Sequence, residues 1–82
     1  MPGKLRVLSG RDVLRALKHF GFEVAAILGS HARLQRVLPS GVAHTLTIPL
    51  HKTLAPGTVR AVFRQACRYI QESELRPWFF TD

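Results

Sequence analysis

Pro39-Ser40-Gly41 is the stretch that most limits how this chain can fold. Proline suits the first position of a type I turn and glycine the left-handed position after it, so the tripeptide predicts a three-residue hairpin loop. A loop of that length sets Leu38 opposite Val42. Counting back, Leu34 opposes Leu46, Ala32 opposes Ile48 and His31 opposes Pro49. Apolar residues then meet apolar residues on one face, and a one-residue slip would destroy the match. His31, Arg33 and Gln35, with Thr47, are left on the outward face. His51 becomes the diagonal neighbour of His31, roughly 7–8 Å away if the pairing extends that far. Pro49 cannot donate to a ladder, so its strand is expected at a sheet edge.

The flanks supply the rest of the sheet and its cover. Residues 22–28 are expected as a further strand, with Phe22, Val24, Ala26 and Leu28 on one face and Glu23, Ala25 and Ile27 on the other. Gly29 and Ser30 separate it from the strand over 31–38. Residues 9–21 predict an amphipathic helix. Ser9 is its N-cap, and Asp12 completes a capping box with Asp in place of Glu. Val13, Leu14, Leu17 and Phe20 form the buried stripe, and Arg11, Arg15, Lys18 and His19 lie outside it. Gly21 takes the left-handed position that ends the helix, and Phe22 folds back behind it. A loop over 51–55 precedes a second helix that Pro56 opens and that is expected to reach about Glu72. Val59, Val62, Phe63, Ala66 and Ile70 make its buried stripe; Arg60, Arg64 and Arg68 share another face. Ser73 can cap a further turn, and Pro77 is expected to prevent a long continuation. Trp78-Phe79-Phe80 is then an apolar tail that folds onto the core or a partner. The expected fold is α+β: helix, three antiparallel strands, helix, with both helices on one sheet face and the other face to solvent. That is the layout of a double-stranded RNA-binding domain.

Eighty-two residues make one domain, 1–82, and 46% hydrophobic content fits a packed core. The single cysteine, Cys67, excludes an internal disulfide and a metal–thiolate cluster, and it reads as a packing residue. None of the four histidines has zinc-site spacing, so neither metal nor cofactor is expected. The opening residues turn polar too soon for a secretory signal, and no apolar run is long enough to span a membrane. A cytoplasmic protein is the expectation. Twelve Lys and Arg against five Asp and Glu give a net charge of +7. A field of that sign on a small body attracts polyanions, nucleic acid first among them.

His31 is the candidate for proton transfer, because an imidazole titrates near neutrality and neighbouring cations stabilise charge developing on a phosphate. Ser30, Arg33, His51, Lys52, Arg60, Arg64 and Arg68 are the candidate RNA contacts. Ile27, His31, Arg33 and Gln35, with Ala25 and Val37, form a mixed outer patch suited to a protein partner. His19 and His44 read as surface residues. From the residues alone a non-catalytic RNA-binding domain, or an adaptor docking an acidic protein, uses the same features.

Several pieces in order carry a family resemblance: Ser9-Gly10, Leu17 with Phe20-Gly21-Phe22, Gly29-Ser30-His31, Thr47-Ile48-Pro49-Leu50-His51, Pro56-Gly57-Thr58-Val59-Arg60 and Phe63-Arg64-Gln65-Ala66. Over residues 8–66 the chain resembles the HicA-type toxins, the small mRNA interferases of type II toxin–antitoxin pairs. It departs from them at Ala32, where many members carry a second histidine, at Cys67, where glycine is common, and in the tail over 73–82. The resemblance implies a double-stranded RNA-binding-like fold, mRNA cleavage without a required metal, and a HicB-type acidic antitoxin through which any oligomer forms. It places the catalytic histidine at His31.

Overall fold

A computed structural model describes residues 3–81. The elements are β1 (Lys4–Leu5), α1 (Gly10–His19), β2 (Glu23–Leu28), β3 (His31–Val37), β4 (Ala43–Pro49), α2 (Pro56–Ala66), α3 (Glu72–Phe79) and β5 (Phe80–Thr81). The antiparallel sheet has the order β2-β3-β4, and β1 pairs with β5 in a separate two-stranded ribbon. The chain therefore has the expected α+β core with one further helix and a ribbon that joins the two ends of the described chain.

The central hairpin forms in the expected register. Leu38 N–H donates to Val42 O at 2.8 Å, Gly41 N–H donates to Leu38 O at 2.8 Å, and Gly41 takes φ 90°. Leu34 pairs with Leu46, Ala32 with Ile48 and His31 with Pro49. The strand carrying Pro49 is a sheet edge, as its missing donor requires. The capping box at Ser9 is complete: Ser9 Oγ accepts from Asp12 N–H at 3.0 Å and Asp12 Oδ2 accepts from Ser9 N–H at 2.9 Å. At the other end of α1, Phe22 N–H donates to Leu17 O and Gly21 N–H to Lys18 O, the paired bonds of a glycine-terminated helix. Gly21 has φ 90° and Phe22 is fully buried.

One sheet face and the helices enclose the core. Ala32, Leu34, Leu46 and Ile48 point inward to Val13 and Leu17 of α1 and Val59, Val62 and Phe63 of α2. Fully burying such a side chain contributes roughly 1.5–3 kcal/mol, so this face dominates the packing energy.

Three expectations are corrected. The second helix stops at Ala66, and residues 67–70 form turns, with Ile70 still buried. The further helix, α3, has Gln71 and not Ser73 as its N-cap; Pro77 lies inside it, and the helix ends two residues later, so no long continuation follows. Proline removes one helical bond, to the carbonyl of Ser73, at a place where both residues are solvent-exposed and the loss is least costly. The tail is therefore built into the fold. Leu75 and Phe79 are fully buried, and Phe63 lies 5.4 Å from Phe79 and 5.1 Å from Phe80, ring to ring. The third correction is in β2. A bulge between Val24 and Ala26 exchanges the faces beyond it, so Ile27 pairs with Ala32 and Leu28 pairs with His31.

Candidate functional site

Four segments meet at one end of the sheet. Gly29, with φ 60°, occupies the first position of the two-residue β2–β3 loop, where a type II′ turn requires a positive φ. Ser30 follows, and its carbonyl accepts from Leu50 N–H. His31 opens β3 opposite Pro49. The start of α1 closes the group: Gly10 N–H donates to His51 O at 2.9 Å, and Leu54 N–H donates to Leu8 O at 2.8 Å.

Gly10 is what lets these segments touch. It is buried, and a Cβ there would lie 2.7 Å from Leu50 Cα and against the Pro49 carbonyl. Only a residue without a side chain allows the helix start to approach the end of β4 this closely. The helix that bears on β4 thereby holds the strand partner of His31.

His31 is exposed on the outward face. Ser30 Oγ stands 3.5 Å from its Nδ1, too long for a strong hydrogen bond, so no neighbour clamps the ring. Arg33 follows opposite Thr47, and Gln35 opposite Thr45, all exposed on that face. β4 ends at Pro49, so His51 leaves the ladder and is not the diagonal partner that continued pairing would have made it. Its carbonyl accepts from Gly10 N–H, which ties it to the start of α1, and Lys52 is exposed beside it. Ser30, His31 and Arg33 thus lie at the start of β3, and the His51–Lys52 loop adjoins them through Leu50, whose N–H donates to Ser30 O.

The arginines of α2 are placed elsewhere. Arg64 and Arg68 line a shallow hollow with Ala61 and Gln65 in the helix layer, whereas Arg33 and Gln35 stand on the opposite sheet face. Arg60 is exposed on α2, and Arg68 lies past the helix end. Among the predicted apolar margin, Ile27 is exposed but does not share His31's face; Leu28 does, at 69% exposure.

Two residues escaped the sequence reading. Arg36 pairs with His44 across the hairpin on the inward face. Its guanidinium donates to Phe20 O at 3.0 Å and to Tyr69 O at 2.9 Å, and lies 4.7 Å over the Phe22 ring. It also donates to His44 Nδ1 at 3.0 Å, which makes that nitrogen the acceptor and places the neutral ring's proton on Nε2. His44 stacks on Tyr69 at 4.1 Å, so it is a packing residue and not the surface histidine expected. One cation ties the last turn of α1 and the turn after α2 to the sheet. The signal was available in strand parity, since residue 36 shares its face with Ala32 and Leu34.

Cys67 is half-buried, and burial, followed by the charge of Glu72, pushes its thiol up; a disfavoured thiolate makes it a poor nucleophile. Among the described residues no three His, Cys, Asp or Glu side chains are grouped to hold a metal ion, and no helix is long and apolar enough to cross a membrane.

Comparison with curated proteins and with solved structures returns no significant match. The family model of the HicA toxin of bacterial toxin–antitoxin systems matches residues 10–66. That span runs from the first residue of α1 to the last of α2 and contains the whole rim around His31; β1, α3 and β5 lie outside it. The chain belongs to the HicA toxin family.

Proposed function

We propose that this toxin is an endoribonuclease that cleaves mRNA with His31 as its general acid–base. The observation that carries this reading is the unclamped, exposed imidazole at a rim shared by Ser30, Arg33 and the His51–Lys52 loop. His31 takes the proton of a ribose 2′-hydroxyl. The 2′-oxygen then forms its bond to phosphorus as the bond from phosphorus to the 5′-oxygen breaks. The leaving oxygen takes a proton from His51 or water, giving a 2′,3′-cyclic phosphate and a 5′-hydroxyl end. Arg33 and Lys52 stabilise the charge that grows on the phosphate. The arginines of α2 attract RNA through long-range charge. An acidic antitoxin would arrest the enzyme by covering this face, and higher assembly would form through that complex.

Turnover of RNA by substoichiometric pure protein tests the activity. His31→Ala should abolish cleavage while fold and most RNA affinity survive, because a proton carrier is lost and little charge. RNA carrying a 2′-deoxy residue at the cleaved nucleotide should resist the wild type. Wild-type cleavage rates in the variant would remove His31 from the mechanism; binding without turnover would leave a non-catalytic RNA-binding domain.

A further inference from the structure

The ends of the described chain build a second surface outside the span matched by the family model. Pairing of β1 with β5, Arg6 N–H to Phe79 O at 2.8 Å and Arg6 Nε to Pro77 O at 3.1 Å seat the N-terminal segment beside α3. Between this segment, α1 and α3 runs an open groove lined by Lys4, Arg6, Val7, Arg15, Trp78 and Thr81, among others. Arg15 also borders an adjoining hollow that contains Arg11 and Lys18. The acidic residue lining the groove is Asp12, and its carboxylate is turned to the Ser9 N–H and to Arg15. Among the described residues, three cations line the groove and two more the hollow beside it, and the anion lining the groove, Asp12, is already engaged. Trp78 is 38% exposed, with His19 against it at 4.9 Å between rings.

We propose that this groove is a second subsite for single-stranded RNA, holding the strand that extends from the His31 rim, with Trp78 stacking a base and Lys4, Arg6 and Arg15 meeting phosphates. Spaced cations beside a partly exposed aromatic ring suit a single strand, since each base has a face to stack and each nucleotide a charge. The groove and the rim are linked through the backbone that opens α1. Leu8 lines the groove, its carbonyl accepts from Leu54 N–H, and two residues on Gly10 N–H reaches His51 O. An acidic polypeptide is the competing occupant, and it lacks the regular alternation of flat base and phosphate that matches an aromatic ring beside spaced cations. The choice of RNA as ligand rests on the cleavage proposed above, but the groove is tested separately.

Trp78 is the single tryptophan of the chain, so its fluorescence reports on the groove directly. In the full-length His31→Ala protein, a single-stranded uridine oligonucleotide should quench that fluorescence on binding, and polyglutamate of equal charge should not. Lys4→Glu combined with Arg15→Glu, both at exposed side chains, should weaken RNA binding roughly tenfold and shallow the log–log salt slope by about 1.4, two contacts at ~0.7 each. A circular dichroism spectrum matching the parent shows that the double variant folds. RNA binding without quenching, an equal response to polyglutamate, or unchanged affinity in the double variant would overturn the subsite. Quenching that persists while wild-type protein fails to cut RNA would keep the subsite and reject the cleavage reading.

Discussion

Gly10 shows how one missing side chain sets the geometry of the rim. In an open helix, replacing glycine by alanine gains up to about 1 kcal/mol of propensity. At Gly10 the added carbon would meet the backbone of Pro49 and Leu50, which cannot swing aside as a side chain would. Forced overpacking of this kind costs about 1–3 kcal/mol, so the sign reverses. Gly57, in the first turn of α2, has nothing within 4 Å of its would-be Cβ and is the internal control. Urea denaturation should show Gly10→Ala destabilised and Gly57→Ala neutral or slightly stabilised. Equal midpoints for the two variants would mean that α1 does not bear on β4 as described. The Gly10→Ala protein should also cut RNA more slowly, since a displaced Pro49 no longer holds the start of β3. The sequence marked Ser9-Gly10 as a helix opening but could not show this role, because the contact lies between segments forty residues apart. Arg36 differs: its inward position followed from parity, and only its charge argued for the surface. The guanidinium is accommodated there because two backbone carbonyls and His44 accept from it.

Among the elements, those with strong local chemistry were readable and those without it were not. The hairpin has a glycine-ended turn and two alternating strands, and its register could be counted residue by residue. β2 runs Val24-Ala25-Ala26-Ile27-Leu28, an apolar stretch with no alternation to expose a bulge. α3 lacks a side-chain cap and contains proline, so neither its start nor its passage through Pro77 carried a signal; burial of Leu75 and Phe79 supplies the stability that propensity withholds. α1 is the opposite case, and its cap is testable. The backbone N–H of Ser9, then its hydroxyl, hold the Asp12 carboxyl below its ordinary value of 3.8, with Arg15 adding a smaller pull. A carboxyl depressed in the folded state contributes stability that is complete above about pH 4, and loses it as pH falls through the lowered folded value. Asp12→Asn, which keeps the side chain's shape and loses its charge, should therefore cost about 0.3–1 kcal/mol at neutral pH. The gap between variant and wild type should narrow as denaturation is repeated below pH 4. A gap that stays constant into strong acid would show that Asp12 takes no part in the cap.

Across the whole molecule, the two sheet faces divide the work. The helices cover one face; the other presents His31, Arg33 and Gln35 to solvent and carries the proposed chemistry. A domain of net charge +7 reaches an acidic antitoxin quickly through its field, but charge alone does not place the partner on His31. In the proposed complex the apolar residues around the histidine would do so, and the bulge in β2 decides which they are. Straight alternation puts Ile27 beside His31; the bulge puts Leu28 there, 69% exposed, and turns Ile27 to the face of Ala32. Val37, 61% exposed, lies farther along the outward face of β3. A protein that occludes His31 must bury Leu28 with it. Leu28→Glu would place a carboxylate against an acidic partner and remove an apolar contact, a combination that costs on the order of 2 kcal/mol or more at an interface centre. Ile27→Glu removes apolar surface that faces away from the histidine. We therefore expect Leu28→Glu to bind the antitoxin at least tenfold more weakly, by titration of RNA cleavage with antitoxin, and Ile27→Glu to lose less. Both variants should cut RNA when no antitoxin is present, since neither position supplies a proton or a phosphate contact. If Ile27→Glu escapes inhibition and Leu28→Glu does not, the partner approaches over the β2 edge from the helix side, and occlusion of His31 must follow from the bulk of the partner and not from direct burial.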